Sequence, residues 1–231
     1  MNTVKYLKNL SAKVLPFFGV LLLSSGVFAE SSFLDLSARF KTEEIQGSES
    51  RSVGSWTLWR KPGLVEVLNQ HSQRGNRWIL SRSGSLTYQD ISHKHRFKIL
   101  YQTSDFKSLE MKPVWWQKNT LLKKEWLQKF KKKSRAHYKG LVTEEYEGRV
   151  GNTAIRFVWL PSLQIPLEFE ERKKDRTLRH RLVEHHELNV SPWSWPESED
   201  YDDMDFSDLG DNESHQIAHQ MMDEAGVGHK H

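Results

Sequence analysis

The sequence predicts an α+β protein in which an antiparallel sheet or barrel is covered by helix. Two observations predict the sheet: short alternating runs between residues 53 and 101 with turn signals at even spacing, and two further strand pairs after residue 137. A third predicts the cover, a single amphipathic stretch lying between the two strand-rich parts.

Taken in order, residues 33–45 hold a short helix or strand carrying Phe33, Leu34, Leu36 and Phe40. Val53 to Trp59 alternates and meets Lys61-Pro62-Gly63, which reads as a strand running into a turn. Leu64–Leu68, Arg77–Ser81 and Leu86–Gln89 are three more strands, with a tight turn at Ser83-Gly84, and Lys94 to Tyr101 is a fifth. From about 117 to 136, Leu122, Trp126 and Phe130 recur every four residues among lysines, which predicts an amphipathic helix. Such a helix packs on the sheet, lids a cavity, or touches anionic lipid through Lys123, Lys124 and Lys131–Lys133. Strands follow at His137–Tyr146 and Ala154–Leu160, then at Leu167–Arg172 and Thr177–Leu188, as two hairpins. Beyond Pro196 only Ser214 to Ala225 looks helical.

The first residues have the pattern of an export signal. Lys5, Lys8 and Lys13 precede an uncharged run from Val14 to Val27, and Ala29 offers a small residue for cleavage. The run is shorter than the roughly 20 residues that a bilayer span requires. The expected product of cleavage after Ala29 is a periplasmic protein that acts as a monomer. The absence of cysteine excludes disulfides, thiolate metal sites and a lipidated cysteine at the cleavage point. Nucleic acid is excluded as a partner of an exported chain.

The formal net charge of +4 conceals an asymmetry. Between Glu197 and His231 eleven acidic residues stand against one lysine, so the positive excess lies before them. The expected organisation is a signal at 1–29, a β-rich body at 30–196 and an acidic, histidine-containing tail at 197–231. The tail either lies on its own basic body or guards a basic surface meant for an anionic partner.

Val53-Gly54-Ser55-Trp56-Thr57-Leu58-Trp59-Arg60-Lys61-Pro62-Gly63 resembles a recurring strand-turn-strand segment of the bacterial lipoprotein-carrier superfamily. This LolA/LolB-like group also includes a sensor of the envelope stress response. The aromatic segment Trp78 to Tyr88 and the position of Phe40 extend the similarity, mainly over 33–105. The resemblance implies a curved antiparallel sheet, an unclosed β-barrel with covering helices, whose concave face receives acyl chains. It implies a non-enzymatic binding protein for a lipid or lipoprotein; the alternatives are a periplasmic metal-binding or metal-delivery accessory using the tail histidines, and an envelope sensor whose basic face meets an anionic membrane surface or a membrane protein. The lining residues it implies are Trp56, Leu58, Val65, Val67, Trp78, Leu80, Leu86 and Tyr88, with Trp126 from the covering helix. In the soluble carrier an arginine directly before the proline hydrogen-bonds the lid. Here Lys61 takes that place and Arg60 precedes it, and a shift of one residue in a strand changes the face.

The chain holds eleven histidines. His215, His219 and Asp223 share one face of the predicted tail helix, a spacing that two imidazoles and a carboxylate need for zinc or copper; solvated surface histidines have the same pattern. His93 and His95 would share one side of a strand. His180, Glu184, His185 and His186 match neither H-E-x-x-H nor H-x-x-E-H and fall on a predicted strand. No nucleophile elbow, phosphate loop or dinucleotide fingerprint occurs, so no cofactor is expected apart from such a metal.

Overall fold

Alternation in the first half of the body becomes a six-stranded meander: β1 (Leu36–Gln46), β2 (Glu49–Lys61), β3 (Leu64–Asn69), β4 (Arg74–Leu80), β5 (Leu86–Ser92) and β6 (Phe97–Tyr101). In the computed structural model, which describes residues 33–210 and 216–224, three short helices follow: α1 (Asp105–Ser108), α2 (Trp115–Thr120) and α3 (Lys124–Lys129). Then come β7 (Lys131–Tyr138), β8 (Leu141–Val150), β9 (Thr153–Leu160), β10 (Ile165–Lys173) and β11 (Arg176–Glu187). The tail contributes β12 (Asp202–Asp205) and α4 (Gln216–Glu224).

All twelve strands form one curved, unclosed sheet in the order β12-β6-β5-β4-β3-β2-β1-β11-β10-β9-β8-β7. Every pairing is antiparallel except that of β12 with β6. Two meanders are thus joined at the centre by β1 and β11, where Phe40 opposes Leu182 and Thr42 opposes His180. β6 and β7 lie at opposite sides of this sheet, yet only residues 102–130 connect them. The connection therefore has to cross a whole sheet face, and it supplies the cover.

The single helix expected over 117–136 is corrected to α2, α3 and the edge strand β7. Leu121 turns left-handed at φ 63 and ends α2, while the fully buried Leu122 drops between Tyr146, Phe157 and Trp159. Trp126 and Phe130 join the same cluster. The four-residue apolar spacing is therefore real, but a kinked chain satisfies it rather than a continuous helix. Phe130 stacks on Trp126 at 5.6 Å and lies so close over Gly148 that a β-carbon there would collide with its ring. Lys131–Lys133 stand on the exposed edge strand, where lysines oppose edge-to-edge pairing.

The opposite sheet face is crossed by residues 191–201. Trp193 lies under the Arg39 guanidinium at 4.2 Å, and Trp195 packs on Trp59 at 6.2 Å. Trp195 Nε1 and Arg77 Nε both donate to Glu66 Oε2, at 2.9 and 2.8 Å, inside a fully buried carboxylate site. The acidic tail then lies on the body: Arg96 pairs with Asp200, and Lys98 approaches Asp203 at 3.6 Å. Beyond this edge, Ala218 and Met221 of α4 are buried among Phe97, Ile99, Tyr101 and Phe106.

Candidate functional site

The strand register decides which side chains meet. Leu58 opposes Val67, Val65 opposes Trp78, Trp78 opposes Tyr88, and Leu80 opposes Leu86. Directly opposed residues share a face, so the apolar residues expected as lining all point toward the cover. Packing then divides them. Leu58 and Val65 are sealed in the core with Phe40, Leu160 and Leu182, and Trp78 is buried against Phe106. Trp126 lies in a separate cluster beside Phe169. Trp56, Val67 and Tyr88 instead border an open cavity of about 1150 Å³. Leu58, Val65, Trp78, Leu80 and Trp126 are not on its wall.

The cavity lies between β2–β6 and the crossing segment. Leu109, Met111 and the left-handed Leu121 form the wall opposite the sheet. Trp56 forms one side, held by stacking on Phe40 at 4.2 Å and by donation from its Nε1 to Thr42 Oγ1 at 3.2 Å. Thr42 Oγ1 also meets His180 Nδ1 at 2.9 Å, and burial pushes the His180 pKa down. The deeper wall is aromatic, with Tyr88 and Tyr101 at a ring separation of 5.0 Å. Burial, and secondarily Asp90, pushes Tyr101 up to about 12 and Tyr88 well above its ordinary value. Both phenols therefore stay protonated near neutrality and act as hydrogen-bonding groups. Tyr88 donates to Asn76 Oδ1 at 2.6 Å.

Toward the rim the wall becomes polar. Arg74 grips the buried Asp90 through two bonds, Nε to Oδ1 at 2.8 Å and a terminal nitrogen to Oδ2 at 2.5 Å. Asn69, Ser92, His71, Lys94 and His95 complete this end. The sequence reading of an apolar lining missed these residues, although the strand period could have found them. Asn69 is two residues beyond Val67, Asn76 two before Trp78 and Asp90 two beyond Tyr88, all on faces assigned from apolar neighbours.

Arg60, not Lys61, faces the cover. Its fully buried guanidinium donates to the carbonyls of Asn119 and Leu163, each at 2.8 Å, and of Leu34 at 3.0 Å. Burial lowers its pKa to about 10, with Asp35 opposing the shift. Lys61 is exposed and sits 5.1 Å from the Trp195 ring on the other face. On α2, Lys118 lies 3.8 Å from the Trp78 ring centre, and burial lowers its pKa to about 8.

The histidines are scattered. His93 packs against Tyr201 and Glu66 beneath the 191–201 segment, whereas His95 borders the cavity, so the two do not share a side. His180 lies against Trp56 and Phe169, whereas His186 meets Trp193 of that segment. Among the described residues no group of three or more histidine, aspartate or glutamate side chains could hold a metal ion. The expected metal set of His215, His219 and Asp223 lies outside the described residues or has side chains outside them, as does the expected signal at 1–29.

No protein-family model matches the sequence. No curated protein matches it significantly. Among solved structures the chain is similar to PNGF-II, at 6% identity and a TM-score of 0.44, over 77% of this chain and 33% of that one. It is also similar to MucB in complex with MucA(peri), at 7% identity and a TM-score of 0.35, over 71% and 54%. A third is a domain described as an outer membrane lipoprotein-sorting protein from Vibrio parahaemolyticus, at 9% identity and a TM-score of 0.28, over 79% and 92%. The chain spans about a third of the length of the first of these. Likenesses this loose assign no activity.

Proposed function

We propose that this protein is a non-enzymatic carrier that holds the apolar part of a lipid or lipoprotein between its curved sheet and the crossing segment. One observation carries the reading: an open cavity of about 1150 Å³ on the covered face, walled by Trp56, Val67, Leu109, Met111 and Leu121. Cavities of roughly 300–1,000 Å³ take small amphiphiles and drug-sized ligands. The arrangement around it suits reception better than bond-making. The two deep phenols are held protonated, and Asp90 is committed to Arg74. The resemblance of the Val53–Gly63 segment to lipoprotein carriers supports the same reading, as does the export-signal pattern expected of residues 1–29.

Native mass spectrometry of protein purified without detergent tests it directly. The expected result is a co-purified lipid mass, and binding of the apolar dye N-phenyl-1-naphthylamine after lipid removal. Val67→Trp, which fills the cavity from β3, should abolish dye binding while the circular dichroism spectrum is kept. Dye binding unaffected by Val67→Trp would place the ligand elsewhere and end the proposal.

A further inference from the structure

The cavity is graded along its length, and the grading names the ligand's other end. Tyr88 and Tyr101 stand at one end of its strand wall, and the other end, where Trp56 opposes Asn69, is rimmed by two turns, residues 70–73 between β3 and β4 and residues 93–96 between β5 and β6. Both turns lie at the same end of the meander. The His93 backbone N–H donates to Gln73 O at 3.0 Å and ties them together. Asn69 Oδ1 accepts from the backbone N–H groups of His71 and Ser72, at 2.9 and 3.0 Å, and sets the first turn. The result brings His71, Lys94 and His95 to one rim. Arg74 stands just inside it at the start of β4, opposite Ser92.

Asp90 is the one carboxylate on the cavity wall among the described residues, and it is already bound by Arg74. The Lys94 ammonium and the ring N–H donors of His71 and His95 therefore meet no carboxylate of the wall that is free to answer them. His71 and Lys94 are exposed and His95 is half-buried, so water meets them when the cavity is empty and a neutral apolar ligand would gain nothing from them. An oxyanion would be met by charge-assisted hydrogen bonds, which are shorter and stronger than neutral ones.

We infer that the site takes an anionic amphiphile, with a phosphate or carboxylate group at His71, Lys94 and His95 and its apolar part along Trp56, Val67 and Leu121. The inference rests on the carrier reading of the same cavity and adds the head group.

Two probes with the same alkyl chain separate the two claims: decyl phosphate and 1-decanol, each below its aggregation limit, with inorganic phosphate as the third. Affinity is read by displacement of N-phenyl-1-naphthylamine and by calorimetry. Decyl phosphate should bind at least about tenfold more tightly than decanol. The triple variant His71→Gln, Lys94→Gln, His95→Gln should remove most of that difference and leave decanol binding within about twofold. Lys174→Gln, on the exposed turn between β10 and β11, should change neither. Equal affinity for the two probes, or a preference that survives the triple variant, overturns the inference and leaves the carrier reading standing. Inorganic phosphate binding as tightly as decyl phosphate overturns it in favour of a bare anion site. If neither alkyl probe nor the dye binds, the carrier reading itself fails and takes the inference with it.

Discussion

Arg60 holds three separate parts of the chain to one strand and, among the described residues, has no carboxylate partner in hydrogen-bond contact. Its donors reach Leu34 before β1, Asn119 at the end of α2 and Leu163 in the turn between β9 and β10. The bond to Asn119 is buried and the other two are part-buried, and a buried carbonyl left unpaired costs about 1–3 kcal/mol. Arg60→Ala should therefore destabilise the protein by about 3–5 kcal/mol, because several hydrogen bonds from a charged donor, each contributing about 1.5–3 kcal/mol, are lost at once. Arg60→Lys keeps the charge, but one ammonium cannot serve carbonyls converging from three directions as a planar fork does. It should still cost about 2 kcal/mol. Urea unfolding measures both. A loss under about 1 kcal/mol for Arg60→Ala would mean that those carbonyls find other donors.

At the scale of elements, the 191–201 segment is held by a few polar anchors rather than by regular structure. Its firmest anchor is Trp195, whose indole N–H reaches the fully buried Glu66. Trp195→Phe keeps the ring over Trp59 and removes only the donor. Glu66 retains Arg77, so the expected loss is about 1–2 kcal/mol, with faster proteolysis confined to the segment; no change in either would show that Arg77 alone satisfies the carboxylate. This segment also marks where sequence reading ends. The strands β2 to β5 were legible because alternation and Pro-Gly or Ser-Gly turns act locally. The lining face followed from the same alternation, but its polar end did not: Asn69 and Asn76 are as exposed as polar strand residues usually are, and the burial of Asp90 depends on its pairing with Arg74 on the neighbouring strand. Leu122, Trp126 and Phe130 imitated a continuous helix because a kinked chain can bring the same three residues to one cluster. β12 was illegible for a different reason. Asp202-Asp203-Met204-Asp205 has little strand propensity of its own and is a strand because β6 offers it an open edge.

On the scale of the whole molecule, an open sheet has two edges, and this chain treats them differently. β7 is left exposed and basic, whereas the β6 edge is taken by the tail. Charge suggests that the acidic tail is held by the basic body, but the magnitudes point elsewhere. Arg96 and Asp200 are well exposed, at 59% and 71%, and such pairs contribute about 0–1 kcal/mol and weaken with salt. Lys98–Asp203 has one exposed partner and a separation of 3.6 Å. Met221, by contrast, is 1% exposed among aromatic side chains, and burial of such a residue contributes about 1.5–3 kcal/mol before any help from Ala218, Met204 or Phe206. The tail is therefore an apolar clasp with an acidic exterior. Met221→Ala should speed cleavage of the tail in limited proteolysis and raise fluorescence of a hydrophobic dye, as the Phe97, Ile99 and Tyr101 surface becomes accessible. Asp200→Asn with Asp203→Asn should do neither, and molar salt should leave the wild-type tail as protected as it is at low salt. If salt or the double asparagine variant releases the tail while Met221→Ala does not, charge rather than apolar burial holds the edge closed.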